Sequence, residues 1–196
     1  MFSSFVSLII ALCFSVGVAV AGPASGVDFD PAKAVPVEAF LSHDALAPDA
    51  TTDLAIVFHV PEGYHITDLK YGMFYAEADT TTYLRLDAIR YPAGILDHEE
   101  LVYRGDVTVF SEVTLLEETT QQQDWTLYVG YQICSEFGDL TCYMPVDKEI
   151  QLVVPVVAKA KDREAQHAEI FGEALEVAPE GLEGRLQKAL MSGSWI

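Results

Sequence analysis

The stretch WTLYVGYQICSEFGDLTCYMP, Trp125 to Pro145, joins a strand-like run to two closely spaced cysteines. Its first nine residues alternate large apolar side chains with smaller or polar ones, which predicts a β-strand with one buried face. Cys134 follows directly, and Cys142 comes after a seven-residue excursion that contains Gly138. That is enough chain to turn back, so a bond between the two sulfur atoms is geometrically easy.

Similar runs lie on both sides of this stretch, each bounded by turn residues. They are LAIVFHV (54–60), TTTYLRLDAIRY (80–91), DVTVFSEVTLL (106–116) and EIQLVVPVV (149–157). Short runs with a period of two and regular turn signals are typical of an antiparallel β-sandwich. The sequence therefore predicts an all-β protein in which two sheets bury their alternating apolar residues against each other.

The two ends of the chain have a different composition from its middle. Residues 1–21 contain an uncharged apolar run that ends in Ala19-Val20-Ala21, which predicts a secretion signal cleaved near Ala21. Residues 22–36 are predicted to be a flexible lead-in and residues 37–157 the sandwich. Residues 158–196 are predicted to form a helical extension that packs on the sandwich or extends from it, with a helix that docks a partner as the alternative. Its first helix is predicted from the Ala- and Glu-rich residues 158–178 and a second short helix from residues 180–191.

Charge and export narrow the possible functions. The chain has 30 acidic against 11 basic residues, for a net charge of -19, which disfavours binding to nucleic acid or to anionic membranes. No hydrophobic span follows the signal, so we expect no membrane insertion after its removal. Cys13 would leave with the signal, and outside the cytoplasm the remaining two cysteines are expected to be oxidised. The chain contains no asparagine and hence no N-glycosylation acceptor, which favours a bacterial periplasm.

The cysteine pair has two interpretations. In the first, the disulfide is purely structural, and closing so short a loop stabilises the fold by about 2.5 kcal/mol in the chain-entropy model. The neighbours of the pair in sequence are the acidic Glu136, Asp139 and Asp147, and the nearest basic residue is Lys148. Acidic surroundings disfavour a thiolate, so a redox-active pair here would be a disulfide that waits for attack by another protein's thiolate.

The stretch VGYQICSEFGDLTCYMPVDKEIQLVVPV (129–156) resembles the active-site hairpin of the amino-terminal periplasmic domain of DsbD-type thiol:disulfide interchange proteins. In that family a YQ-x-C strand end precedes a second cysteine, a proline and another strand. PEGYHI (61–66) and LVYRGDVTVFSEV (101–113) resemble two further family segments. The resemblance covers roughly residues 34–157 and implies an immunoglobulin-like sandwich.

The resemblance also implies a function and a site. Cys134 and Cys142 would be the redox pair, which takes electrons from a thioredoxin-like donor and passes them to periplasmic proteins such as disulfide isomerases or cytochrome c maturation proteins. No cofactor and no metal are expected, and the protein would be a thiol-disulfide oxidoreductase if the pair is redox-active. The predicted site-lining residues are Tyr64, His65, Tyr131, Tyr143 and Pro145, and the predicted cap loop contains Asp97, His98 and Glu99.

The chain departs from the family pattern in three respects. The family's cysteines are usually separated by fewer residues than the seven found here, and a second proline after Cys142 is missing. The cap region GILDHEELVYRG (94–105) lacks the aromatic residue that the best-known member places over the disulfide. Long family members continue into further domains, so we expect a stand-alone version whose donor is another polypeptide.

Two alternatives remain from the residues alone. His59 and His65, with the cysteines and Met144, contain the atoms that bind copper, but nothing fixes their geometry and the cysteine spacing is not a standard one. The stronger alternative is an exported immunoglobulin-like binding or assembly module with an inert disulfide. A serine nucleophile motif and a Gly-rich phosphate loop are both absent from the sequence, so hydrolase and nucleotide-binding functions have no support.

Overall fold

The computed structural model describes residues 29–48, 50–67, 72–79, 83–116, 122–138 and 140–174. The predicted signal peptide and the segment beyond residue 174 lie outside these ranges. The described part contains two short helices and eleven strands: α1 (Pro31–Ala34), β1 (Val37–Leu41), β2 (Thr52–His59), β3 (Tyr64–Thr67), β4 (Tyr75–Ala78), β5 (Leu84–Leu86), β6 (Ile95–Asp97), β7 (Glu100–Tyr103), β8 (Asp106–Leu115), β9 (Gln123–Tyr131), β10 (Ile133–Ser135), β11 (Val146–Val154) and α2 (Ala168–Ala174).

Two antiparallel sheets form the sandwich, one in the order β1-β2-β8-β5 and the other in the order β11-β9-β4. The long strands follow the period of two that the sequence predicts. In β8 every second residue from Val107 to Leu115 is buried, and in β9 the buried positions include Trp125, Leu127 and Val129. Phe58 of β2 meets the ring of Tyr131 of β9 edge-on across the core, at 6.0 Å between ring centroids.

The strand order is that of an immunoglobulin-type domain. Such domains pair their first, second, fifth and fourth strands in one sheet and their third, sixth and seventh strands in the other. Setting aside β3, β6, β7 and β10 leaves seven strands that pair in this same order. The all-β, immunoglobulin-like sandwich predicted from the sequence is confirmed.

The four remaining strands form a third sheet, β10-β3-β7-β6, which we call the site sheet. Its strands are insertions in three connections of the sandwich: β2 to β4, β5 to β8, and β9 to β11. All three connections lie at the same end of the sandwich. The backbone N–H of His59 donates to Pro36 O (3.0 Å) and the Tyr131 hydroxyl to Pro31 O (3.0 Å), so the ends of β2 and β9 both lie against residues 31–36.

Residues 29–36 belong to the predicted flexible lead-in, but in the structure they pack against the sandwich. Pro31 begins α1, the Asp30 side chain caps this helix by accepting from the N–H of Ala32 (3.1 Å), and Val35 is fully buried. Proline and an aspartate cap are typical helix-start residues, so the local sequence carried this signal. The apolar Val35 then closes the core beside Tyr131.

The carboxy-terminal extension contains helix α2, and this helix begins later than the Ala- and Glu-rich pattern indicates. Residues 158–167 instead run extended around a short 3-10 turn, because their backbone is bound by the segment after β1: Asp44 N donates to Glu164 O (3.0 Å) and Gln166 N to Ser42 O (2.9 Å). Phe171 of α2 is buried against Phe110. The second predicted helix, 180–191, lies outside the described residues.

Candidate functional site: the cysteine pair and its cleft

Cys134 and Cys142 lie directly opposite each other and form a disulfide. Cys134 is the central residue of β10, and Cys142 pairs with it as a single bridge residue, with Cα atoms 3.9 Å apart. Backbone hydrogen bonds on both sides close the excursion: Ser135 N donates to Thr141 O (2.8 Å) and Tyr143 N to Ile133 O (3.0 Å). The prediction of a disulfide is confirmed.

The two cysteines differ in exposure. Cys134 is buried, with 2% of its surface exposed, whereas Cys142 is an exposed residue. The difference follows from their positions, since Cys134 lies in β10, which pairs with β3, and Cys142 lies on the returning chain at the outer side of β10. An incoming thiolate therefore has access to the sulfur of Cys142, and the bond would break toward the buried sulfur of Cys134.

His65 lies in the same cross-strand row as the two cysteines. Cys134 pairs with His65 of β3 on one side and with Cys142 on the other. Directly opposed residues of antiparallel strands point to the same face, so the three side chains share one face of the site sheet. Tyr64 and Ile66, which flank His65, point to the other face and are buried.

This face lines a cleft of about 390 Å³. The lining residues come from the inserted strands and from the excursion between the cysteines, and they include both cysteines. They are His65, Asp97, His98, Glu100, Val102, Arg104, Cys134, Ser135, Glu136, Leu140 and Cys142.

Arg104 ties two parts of the cleft together. Its guanidinium donates through Nη2 to Asp97 Oδ2, at the end of β6, and through Nε to Glu136 Oε1, two residues after Cys134. The hydrogen bond from Arg104 lowers the pKa of Asp97, and the two carboxylates in turn raise the pKa of Arg104, Asp97 being the larger cause. His65 Nδ1 lies 3.1 Å from the same Glu136 Oε1.

The predicted cap residues form a hairpin beside the disulfide. Asp97 and Glu100 pair across a two-residue turn made by His98 and Glu99, both with positive φ, as a type I′ turn requires. Asp97 and His98 line the cleft, while Glu99 is not among its lining residues. Exposed apolar side chains lie on the same two segments and are called the apolar rim here: Ile95, Leu96 and Leu101 on the hairpin, and Phe137 and Leu140 on the excursion. Of these, Leu140 lines the cleft and Ile95 shares a face of the hairpin with the lining residue Asp97.

The aromatic residues predicted to line the site lie behind it. Tyr64 stacks on Phe29 with ring centroids 4.7 Å apart, Tyr143 contacts the same ring, and Tyr131 is fully buried. Burial raises the pKa of Tyr131 to about 12. None of these three lines the cleft, and neither does the exposed Pro145. The period of two of β3 places His65 in the cleft and therefore Tyr64 behind it.

Sequence reasoning missed Arg104 and misjudged the charges near the cysteines. Lys148 lies away from the cleft, where it donates to Val35 O (2.6 Å), and burial lowers its pKa. Asp147 accepts from the Tyr75 hydroxyl (2.8 Å) instead of facing the disulfide. Asp139 lies outside the described residues. The available signal for Arg104 was its position just before the predicted strand of residues 106–116, within the segment 101–113 that resembles the family.

His59 does not join His65 in a metal site. It lies in a second cleft, of about 410 Å³, where its Nδ1 and Nε2 are 2.8 Å and 2.9 Å from Asp106 and Glu38. Among the residues that the structure describes, no group of three or more His, Cys, Asp or Glu side chains is placed to hold a metal ion. In the same residues, no helix has the length and hydropathy needed to cross a membrane.

Comparison with known proteins gives one family. The model of the N-terminal region of thiol:disulfide interchange protein DsbD matches residues 32–154, more than half of the chain. The reduced N-terminal domain of Neisseria meningitidis DsbD is 18% identical over 71% of this chain and 95% of its own, with a TM-score of 0.47. A chain from the complex between the DsbD and PilB N-terminal domains of the same organism is 20% identical over 64% and 88%, with a TM-score of 0.39. No curated protein matches the chain.

Proposed function

Because this chain belongs to the family of DsbD N-terminal domains, we propose that it is a periplasmic thiol-disulfide exchange protein whose Cys134–Cys142 pair cycles between disulfide and dithiol. The observation that carries the proposal is the unequal exposure of the two cysteines inside one cleft. A disulfide that serves only as a staple needs neither an accessible sulfur nor a cleft beside it.

The reaction begins at Cys142. A thiolate of a thioredoxin-like donor attacks Cys142 Sγ, the bond to Cys134 breaks, and a mixed disulfide joins donor and acceptor. The donor's second cysteine then attacks that mixed disulfide and leaves the pair as a dithiol. In the second half of the cycle the Cys142 thiolate attacks the disulfide of a periplasmic substrate protein, and Cys134 displaces the reduced substrate.

The surface around the cleft supports docking by another protein. Leu140, which lines the cleft, and Ile95, which shares a face of the hairpin with the lining residue Asp97, are exposed at 68% and 52%. Apolar residues at the centre of a contact surface and polar residues around it are the usual composition of a transient interface.

Trapping of a mixed disulfide tests the proposal. The donor would be a thioredoxin in which the second active-site cysteine is serine and the first carries a thionitrobenzoate group in a disulfide, so that attack by a protein thiolate forms the mixed disulfide and releases thionitrobenzoate. The two variants would be Cys134→Ser and Cys142→Ser. We expect the first variant, which keeps the exposed cysteine, to form a mixed disulfide readily, and the second to form much less. The reduction potential, measured by equilibration with glutathione, is expected to be roughly -180 to -270 mV.

Two measurements together would overturn the proposal. A potential below about -300 mV, with no mixed disulfide from either variant, marks an inert staple. The alternative of a binding module with a structural disulfide would then account for the chain.

A further inference from the structure

We propose, on the basis of the exchange reaction above, that His65 donates a proton to the sulfur of Cys134 when the disulfide opens and accepts it back when Cys134 attacks. The inference goes beyond the cysteine pair because it assigns the proton transfer to a side chain on a different strand. Three observations carry it: the register of β3, the contact with Glu136 and the charge balance of the cleft.

The register places His65 beside the buried cysteine and not beside the exposed one. His65 is the direct partner of Cys134 in the β3–β10 ladder, while Cys142 lies on the far side of Cys134. Opposed residues on one face have Cβ atoms about 4.5–5.5 Å apart, a distance that an imidazole spans. The His65 side chain is 17% exposed through the cleft, so it exchanges protons with solvent.

Glu136 orients the imidazole. A carboxylate accepts hydrogen bonds only, so the 3.1 Å contact with Glu136 Oε1 requires that Nδ1 of His65 carries a proton. Nε2 is then the nitrogen that gains and loses a proton. Arg104 donates to the same carboxylate and keeps it in place. Sulfur, imidazole and carboxylate thus form the arrangement in which a third group fixes the tautomer of a base.

The charge balance explains why Cys134 needs a proton. Arg104 is the nearest guanidinium, but Asp97 and Glu136 already neutralise it, and Glu100 adds a further negative charge to the cleft. Burial and surplus negative charge both disfavour a thiolate. A Cys134 thiolate released by cleavage of the disulfide is therefore poorly stabilised unless a neighbouring acid protonates it.

Opening of the disulfide moves one electron pair and one proton to Cys134. The donor thiolate forms a bond to Cys142 Sγ, the Cys134–Cys142 bond breaks, and its electron pair goes to Cys134 Sγ, which takes the proton from His65 Nε2. His65 is then neutral and stays neutral beside the Cys134 thiol until the dithiol is used. When the dithiol later reduces a substrate, neutral Nε2 takes the proton from Cys134 as that sulfur attacks the mixed disulfide.

The rate of disulfide reduction by dithiothreitol as a function of pH tests the inference. Rates would be measured between pH 5.5 and 8.5 and divided by the thiolate fraction of dithiothreitol, so that only the protein's titration remains. We expect the corrected rate of the wild type to fall as the imidazole loses its proton with rising pH. In His65→Gln we expect a rate at least tenfold lower at pH 6 and a flat profile.

His98 provides a matched control. It lines the same cleft and is 99% exposed, and its contact is with Asp97 and not with Glu136. His98→Gln is expected to keep the wild-type profile. The groups that face His65 are Glu136 from the excursion, Arg104 and Glu100 from the β7 side, and Asp97 and His98 from the hairpin. Comparing the two histidine variants separates the titration of His65 from that of these neighbours.

A second variant covers the case in which His65→Gln does not fold. Glu136→Gln leaves β3 unchanged but no longer fixes the tautomer, and we expect a rate several-fold lower at pH 6. The inference is overturned if the folded His65→Gln protein keeps the wild-type profile, or if Glu136→Gln reacts at the wild-type rate. Failure of the proposed function looks different, because the wild type itself then has a potential below about -300 mV and traps no donor.

Discussion

The sandwich and the site sheet are built from the same kind of strand but differ in what they bury. In the sandwich, long strands such as β8 and β9 bury every second side chain in one common core. The site sheet consists of strands of three or four residues, and its outer strand β6 exposes both Ile95 and Leu96. Charged pairs around Arg104, and not apolar packing, connect its hairpin to the cysteine excursion.

The difference indicates a division between stability and reactivity. Burial of apolar area is the dominant favourable term in folding, and most residues of the core lie in the sandwich, to which the site sheet adds Tyr64, Ile66, Tyr103 and Ile133. The site sheet is formed within three connections at one end of the sandwich, and connections of this kind tolerate changes of length. The four predictions below test this division, beginning with the largest effect.

Two phenylalanines, one in each region, provide the strongest test. Phe58 is fully buried between Phe74 and Tyr131, so Phe58→Ala is expected to lower the free energy of unfolding by about 3–5 kcal/mol. Phe137 of the apolar rim is exposed, so Phe137→Ala is expected to cost less than about 1 kcal/mol. Urea denaturation at constant pH measures both.

The dithiothreitol rate should show the opposite order. Phe58→Ala, assayed below its unfolding transition, is expected to react at the wild-type rate, because the core does not line the cleft. Phe137→Ala is expected to react faster, since the ring packs over Gly63 and anchors the excursion between the two cysteines, which moves more freely without it. Equal losses of stability in the two variants would contradict the division.

The disulfide itself gives the second test. Reduction removes a cross-link between residues eight apart in sequence, which costs about 2.5 kcal/mol by loop entropy. The reduced protein is therefore expected to remain folded, with a lower urea midpoint. Cys134→Ala combined with Cys142→Ala should reproduce that midpoint. Complete unfolding on reduction would show that the site sheet is part of the framework.

Much of the sandwich could be predicted from the sequence because its strands repeat a local pattern. The alternation in DVTVFSEVTLL and WTLYVGYQI matches β8 and β9 closely. The start of α2 could not be predicted, since it depends on backbone hydrogen bonds between residues 158–167 and the distant segment after β1. Local propensity does not report such long-range partners.

The candidate site could be predicted only in part, for the same reason. The cysteines and His65 stand out by residue type, and the structure brings all three together in the cleft. Arg104 and Glu136 are far apart in sequence, and only the pairing of β3 with both β7 and β10 brings them into contact. Tyr64, Tyr131 and Tyr143 are not among the residues that line the cleft, and a sequence motif does not reveal which side of a strand faces a site.

A glycine under the apolar rim gives the third test. Gly63 has φ of +78°, and an added Cβ would lie 1.5 Å from the Phe137 ring. Gly63→Ala is therefore expected to lose about 1–2 kcal/mol from backbone strain, with a further loss because the ring must move. Gly105 has φ of +66° and open space around it, so Gly105→Ala isolates the backbone cost. Equal losses in urea denaturation would mean that Phe137 is not held over Gly63.

The smallest effect concerns His59, the counterpart of His65 on the sandwich. Its hydrogen bonds with Asp106 and, after a smaller opposing effect of burial, with Glu38 raise its pKa above the ordinary value of 6.5. Folding therefore favours protonated His59. This contribution is complete below the unfolded-state pKa and is lost as the pH rises through the higher folded-state pKa. The side chain is 36% exposed, so screening limits the contribution to about 0.5 kcal/mol.

The expected result is a pH-dependent difference between the wild type and His59→Gln. The loss of unfolding free energy should be larger at pH 5.5 than at pH 8.5. A loss that grows with pH would contradict the assignment. Both nitrogens of His59 are engaged by carboxylates, whereas the one hydrogen bond of His65 in the described residues uses Nδ1. His59 can therefore link strands but cannot pass a proton, and His59→Gln should leave the pH profile of disulfide reduction unchanged.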